Sequence, residues 1–352
     1  MKSVVAVVKT SPRTVLEDIK RVMELADFKK HIKKESKTIL KLNLSWTLFY
    51  PSCSTSPWQL EGVLKTLKES GYKDVLAVEN KTVVTDAEKG AKLNKWLPIL
   101  KRYGVDFLPL YKTEWVEYKP KHELLCWGKK FPDEIKIPKI FIGSNVIHLP
   151  TQKTHGHSIM TGAMKNAFGG LLREARHHYH KYIHEILVDL LIIQKEIHPG
   201  IFAVVDGTVC GNGAGPRTMD WVIKNYLLAS SDMVAIDAVS SKMMGFDPFQ
   251  IPKIKIAHDL GLGCGDIKQI EILGEDIRDV NYQFKTKKSP VIFFDQFFRK
   301  SFIEPLLFHT WFFKFCIMGS AVYHDRIWYP IVGKRKIKEF MKTEWGELFE
   351  KY

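Results

Sequence analysis

Trp58-Gln59-Leu60-Glu61-Gly62-Val63-Leu64-Lys65-Thr66-Leu67-Lys68-Glu69-Ser70-Gly71-Tyr72-Lys73-Asp74-Val75-Leu76-Ala77-Val78 holds the alternation that decides the fold class. Leu60, Val63, Leu64 and Leu67 recur at helical spacing, Gly71 ends the helix as a C-terminal glycine does, and Val75–Val78 is a short apolar strand. Downstream the order repeats, with Leu97–Tyr103, then Gly104, then Val105–Leu108. Upstream, Val4–Val8 reads as a strand and Val15–Leu25 as a helix with Val15, Ile19, Val22 and Met23 at helical spacing; Thr38–Leu44 reads as a second strand. Ile140–Ile142 and Val146–Leu149 supply further strand. The alternation predicts an α/β protein, a mainly parallel sheet with helices on both faces.

At 352 residues the chain is long enough for two domains. The expected division is an N-terminal α/β lobe over 1–145, a glycine- and histidine-rich α/β lobe over 146–274, and an aromatic, basic, helical C-terminal extension over 275–352. In the middle lobe Tyr182–Lys195 reads as a helix apolar nearly all round, Ile201–Val205 as a central strand, and Met233–Met244 as a helix stopped by Gly245. The extension carries Phe293, Phe294, Phe297, Phe298, Phe302, Phe308, Trp311, Phe312, Phe313 and Phe315, with Lys287, Lys288, Lys334, Arg335 and Lys336 on its flanks. Two readings apply: packing on the core or a second subunit, and contact with a membrane surface or another protein. Pro305 and Lys314 interrupt the cluster, which argues against a membrane span.

Composition narrows the classes. Hydrophobic residues make up 45% and charged residues 26%, which suits a folded chain and not a disordered one. Lys and Arg number 53 against 39 Asp and Glu, a formal net charge of +14 that favours anionic partners. No helix-turn-helix, zinc-finger or RNP-like pattern is present, so no specific nucleic acid is expected. Cys53, Cys126, Cys210, Cys264 and Cys316 are widely spaced without a C-x-x-C pair, so no iron–sulfur cluster or structural zinc is expected. The first residues read as a strand and not as a leader, and cytoplasmic localisation is the expectation.

Five segments carry residue types suited to chemistry. Leu149–His157 follows a strand and is expected on a strand-end loop, where Lys153 attracts an anion and His155 exchanges protons or ligates a metal. Met160–Gly170 is small-residue helix in which Thr161 caps a helix whose free amides face an anion, beside Lys165 and Asn166. His177, His178, His180 and His184 open the next helix, with His180 and His184 on one face, so metal ligation, anion contact and capping all remain open. Val204–Pro216 runs from a strand into Asp206 and a loop with Gly207, Gly211, Gly213 and Gly215 around Asn212, whose amides can turn toward a phosphate or carboxylate. That segment is neither a Walker A loop nor a G-x-G-x-x-G fingerprint. Finally, Asp232 is placed as a helix cap, and Asp237, set among Ala and Val, needs a partner if buried, with Lys165 or a histidine as the expected one.

Taken in order, Lys41-Leu42-Asn43-Leu44, Leu149–His155, Thr161–Gly169, His180, Val205–Gly207 with Gly211–Pro216, and Asp232–Ala238 with Met244–Pro248 resemble the domain-of-unknown-function family 362, over about 1–274. The family lacks a generally assigned activity. Many members carry ferredoxin-like cysteine motifs, and this chain has none. The fold is also distantly similar to the nickel-pincer lactate racemase class, which binds a nucleotide-derived cofactor and uses imidazoles as acid–base groups; no racemase histidine pair carries over. The expected function is therefore an enzyme acting on a small anionic or phosphorylated ligand in an interlobe cleft, by acid–base or metal-assisted chemistry, with either a divalent metal or a nucleotide-derived cofactor compatible with the site. His155, His180, Lys165, Asp206 and Asp237 are its candidate catalytic residues. Asn43, Lys153, Asn166, Gly211, Asn212, Gly213 and Gly215 are its candidate ligand-holding residues. The alternative is a non-catalytic carrier for an anionic cofactor or metal.

Overall fold

In the computed structural model, which describes residues 2–131, 135–299, 301, 306–307, 310–311 and 313–352, the apolar runs of the first segment become strands Val4–Lys9 (β1), Thr38–Lys41 (β2), Val75–Glu79 (β3) and Asp106–Pro109 (β4). Between them lie helices Val15–Leu25 (α1), Phe28–His31 (α2), Pro57–Glu69 (α3), Ala87–Leu93 (α4) and Trp96–Tyr103 (α5). α3 starts where the Pro-rich stretch ends: Pro57 occupies the first turn and Ser56 Oγ accepts from the Gln59 amide.

The chain continues through Trp115–Glu117 (β5), Lys136–Pro138 (β6), Asn145–His148 (β7), Thr151–His155 (β8) and Ile159–Met160 (β9). Short helices Ala163–Asn166 (α6) and Phe168–Leu171 (α7) precede the long Ile183–Ile197 (α8), and Ile201–Ala214 (β10) and Thr218–Ser230 (β11) form a hairpin. Helices Met233–Met244 (α9) and Pro252–Asp259 (α10), strand Glu271–Gly274 (β12) and helix Pro290–Arg299 (α11) follow.

β12-β1-β11-β10-β7-β2-β3-β4 is the order of the main sheet, with β8 alongside β10 and β9 alongside β8. β1–β12, β10–β7, β10–β8, β2–β7, β2–β3 and β3–β4 pair in parallel, whereas β11 runs antiparallel to both β1 and β10. Because β2 pairs with β7, strands drawn from 1–145 and 146–274 belong to one sheet. Side chains alternate along each strand and feed two cores. One face holds Val15, Ile19, Leu60, Leu64 and Trp96; the other holds Ile186, Leu187, Leu190, Val234 and Met243. Each such fully buried side chain contributes about 1.5–3 kcal/mol.

Three local expectations are corrected. Ile140–Ile142 is not a strand: Lys139–Phe141 forms one 3₁₀ turn, ended by Gly143 at φ +78°. Thr151–His155 is a strand and not a loop, because it finds a ladder partner in β10. The glycine-rich stretch is likewise strand through Ala214, because the β10–β11 hairpin continues to Ala214 opposite Thr218.

The extension divides between one face of the sheet and the strand ends. Phe340, Trp345 and Phe349 pack into the α1/α3 core, with Phe349 stacked on Phe49 at 3.9 Å and Trp345 beside Trp58 at 4.8 Å. α11 and the helix at Phe313–Ala321 lie against the loop after β8 and the turn before α8, with Gln296 on the Gly156 carbonyl and Phe313 beside His177, and Trp328 and Tyr329 pack on Trp46 and Tyr50. Phe302, Pro305, Phe308 and Phe312 lie outside the described residues.

Candidate functional site

The parallel strands β2, β3 and β7 end in Lys41, Glu79 and His148, on the side of an open α/β sheet where ligands bind. Beyond that edge lies a cavity of about 520 Å³, partly open to solvent. Asn43, His155, Lys165, Asn166 and His180 line it, together with His157, Arg176, His177, Arg217 and Asp295. α11 and the tail supply the remaining wall through Ile292, Phe294, Phe298, Phe313, Ile317 and Tyr323.

α6 positions Lys165 and Asn166. Its first amide, on Ala163, donates to Asp237 Oδ1 at 2.6 Å, so the helix N-terminus meets a carboxylate of the protein itself. Thr161 is no cap: its hydroxyl donates to the Thr151 and Lys153 carbonyls. Gly162 has φ +110°, and a Cβ there would stand 2.2 Å from Asp237 Oδ1, so only glycine allows this approach. Asp237 Oδ2 in turn takes the Lys253 ammonium at 2.8 Å in a fully buried pair, and Lys253 Nζ also donates to the Thr161 carbonyl at 2.7 Å. The partner expected for Asp237 was Lys165 or a histidine; it is Lys253, in the apolar stripe of α10 with Ile254 and Ala257.

Lys165 itself is left free. Its ammonium lies 5.4 Å from the Phe168 ring centroid and has no hydrogen-bond acceptor among the described residues. Burial, followed by the charges of Lys153, Lys253, Arg176 and Lys41, lowers its pKa to about 7. Arg217 also lines the cavity, and its guanidinium has no hydrogen-bond partner among the described residues. The other charged groups of the wall are mostly engaged. Lys41 pairs with Glu79 at 2.8 Å, and Arg176 donates to the Lys81, Leu172 and Arg173 carbonyls. Glu174 lines the wall as a further carboxylate.

His155, His157, His177 and His180 form one imidazole cluster. Ring centroids lie 4.9 Å apart for His157 and His180, 4.8 Å for His177 and His180, and 6.3 Å for His155 and His180, whose planes are within 8° of parallel. Hydrogen bonding sets opposite tautomers on His155 and His180. His155 Nδ1 accepts from the His157 and Ser158 amides at 3.1 and 3.3 Å, so its proton sits on Nε2. His180 Nδ1 lies 3.0 Å from the His177 carbonyl and must donate to it, which leaves Nε2 with a lone pair. Burial, with the neighbouring cations and imidazoles, pushes both rings well below the usual histidine value, so both are neutral at pH 7. Asp295 from α11 anchors the other two, 3.5 Å from His157 Nε2 and 3.6 Å from His177 Nε2, with Arg299 at 2.9 Å. Burial alone would raise its carboxyl, but the contacts with His177 and Arg299 outweigh it and hold the group well below the usual range.

The remaining expected residues lie elsewhere or are used up. Asp206 shares strand parity with Val204 and faces the α3 side, where its carboxylate accepts from Ser56 Oγ at 2.5 Å, Thr208 N at 2.8 Å and Thr208 Oγ1 at 2.6 Å. It lines a separate pocket of only about 20 Å³. Lys153 Nζ donates to Asn43 Oδ1 at 2.5 Å, to the Cys53 carbonyl at 3.0 Å and to Thr151 Oγ1, so its donors are spent. Asn166 Nδ2 donates to the Lys41 carbonyl at 2.8 Å. Gly211, Asn212 and Gly213 oppose Trp221, Asp220 and Met219 in the β10–β11 ladder instead of forming an amide cradle. Gly215 permits a close crossing, since a Cβ there would meet the Thr154 carbonyl oxygen at 1.8 Å. Asn212 Oδ1 accepts from the Lys285 amide and ties the extension to the hairpin.

His184 leaves the cluster, because the 3₁₀ turn at Arg176–Tyr182 breaks the helical register and His184 Nδ1 accepts from the Lys253 amide at 3.3 Å. Among the described residues no three His, Cys, Asp or Glu side chains converge as a metal-ligand set. Arg217 and Asp295 were not among the expected site residues. The Asp295–Arg299 spacing of four was a local signal of a helical ion pair.

The family described as a domain of unknown function (DUF362) matches residues 38–242, more than half of the chain. The chain is 25% identical over 217 residues to a thylakoid-associated protein of Synechocystis sp., a match that covers 60% of this chain and 63% of that relative. No solved structure matches significantly.

Proposed function

The chain belongs to the domain-of-unknown-function family 362, and we propose that it binds a small anionic or phosphorylated ligand in the large cavity and moves a proton on it. The observation that carries this reading is the pair of stacked neutral imidazoles with opposite tautomers, beside a lysine that has no hydrogen-bond acceptor among the described residues. Lys165 and Arg217 attract the anion. A bound negative charge raises both the Lys165 amine and the His180 imidazole, reversing the desolvation that depresses them. His180 Nε2 then takes a proton from the ligand, with Nδ1–H held by the His177 carbonyl. His155 Nε2–H donates a hydrogen bond to the developing negative charge and keeps its proton. The Lys165 ammonium supplies a proton to the ligand; His180 then releases its proton to solvent and the Lys165 amine takes one from solvent, so the protons balance.

The test needs no prior substrate. Small phosphorylated and carboxylated compounds are screened by isothermal titration, and binders are incubated with the protein in D₂O while carbon-bound deuterium is read by mass spectrometry. Wild type is expected to bind and to exchange, and His180→Gln to bind with exchange lost. Exchange unchanged in His180→Gln, or binding without exchange in wild type, would overturn the acid–base reading; the second result would mark a carrier.

A further inference from the structure

α11 is amphipathic in the reverse sense. Its charged and polar residues turn inward: Asp295 meets His157, His177 and Arg299, and Gln296 Nε2 donates to the Gly156 carbonyl at 3.0 Å. Phe293 and Phe297 turn outward, 55% and 60% exposed. A helix at a water-facing surface does the opposite. The pattern continues along the chain. Of the 16 exposed large hydrophobic residues among those described, 10 fall within 293–331, including Met318 and Ile331. Such a concentration marks an interaction surface.

Charge selects the partner. Residues 285–338 contain eleven Lys and Arg against three acids. Lys285, Lys287, Lys288, Lys314, Arg326 and Lys334 in and beside this segment are exposed. Two copies of this surface would repel each other, whereas anionic lipid attracts it. No helix among the described residues is long and apolar enough to cross a membrane, so the segment fits a position in the plane of the interface.

We propose that the segment 290–331 docks on an anionic membrane surface, with Phe293, Phe297, Met318 and Ile331 entering the headgroup–acyl boundary and the flanking lysines meeting lipid phosphates. This does not depend on the acid–base reading, but it has a consequence for the cavity. Phe294, Phe298, Ile317 and Tyr323 of the same segment line the cavity, so docking sets one wall of the site against the bilayer.

The full-length protein is floated with phosphatidylcholine vesicles, with and without about 30% phosphatidylglycerol, at about 0.1 M and about 0.5 M salt. Binding is expected to the anionic vesicles, weakened by salt, and weaker by roughly tenfold or more in Phe293→Ser/Phe297→Ser. The double variant should keep the wild-type melting temperature, because both side chains are exposed. Leu260→Ser, an exposed apolar residue outside the segment, should bind as wild type does. No flotation with anionic vesicles, equal flotation with neutral ones, or no loss in a folded double variant would overturn the proposal. A dimer in sedimentation that the double variant abolishes, without vesicle binding, would assign the surface to a second copy instead.

Discussion

Two sets of polar residues sit in this protein, one buried and one mostly half-buried on the cavity wall, and they differ in whether their hydrogen bonds close. In the braces they do: Asp237 joins Lys253 to the start of α6, Asp206 gathers Ser56 and Thr208, Asp189 of α8 takes the amides of Leu125, Cys126 and Trp127, and Lys153 spends its protons on Asn43, Cys53 and Thr151. In the cavity they do not: among the described residues Lys165 and Arg217 lack side-chain acceptors, and His155 and His180 each engage one ring nitrogen while the ring lines the cavity. A buried polar group costs stability unless it is paired, so a closed network reads as structure and an open one as a place kept for a ligand.

Removing a brace should have the largest effect. Asp237→Ala strands the Lys253 ammonium in a fully buried position and should cost about 3–5 kcal/mol, read as a large fall in melting temperature or failure to fold. A fully stable Asp237→Ala with weakened ligand binding would dissolve the distinction. Asp206→Ala should cost roughly 1–3 kcal/mol and leave phosphate affinity unchanged, since it lies outside the large cavity.

Lys165→Met sharpens the comparison because its sign reverses. The amine is held at about 7 in the fold against 10.5 in the unfolded chain, so between those values the unfolded state binds more protons and wild-type stability rises with pH. The destabilisation is fully present below about pH 7 and fades toward pH 10.5. The variant should therefore gain on the order of 1–3 kcal/mol near pH 6, lose that advantage by pH 10, and lose anion binding at every pH. Chemical denaturation across that range, compared with wild type, reads it. The smallest change belongs to His180→Gln, which should alter stability by less than about 1 kcal/mol while abolishing proton exchange on the ligand.

Much of this was legible in the chain. α1 and α9 follow from apolar spacing and from Gly245, and the site's His155, His180, Lys165 and Asn166 were marked by residue type and do converge. What failed was local reasoning about glycine: Gly207 to Gly215 signals a loop, but a partner strand overrides that signal. The pairings were also hidden. Asp237 with Lys253, Asp206 with Ser56, and the imidazoles with Asp295 join residues 16, 150 and more than 100 positions apart, and only tertiary packing selects among such partners.

The most direct measurement is the protonation of the two imidazoles, read by nitrogen NMR on histidine-labelled protein at pH 7 with assignment through His155→Gln and His180→Gln. The account predicts two neutral rings of opposite tautomer, the proton on Nε2 in His155 and on Nδ1 in His180, with inorganic phosphate driving His180 toward its charged form in wild type but not in Lys165→Met. Matching tautomers, rings already charged without ligand, or the same phosphate response in Lys165→Met would contradict it.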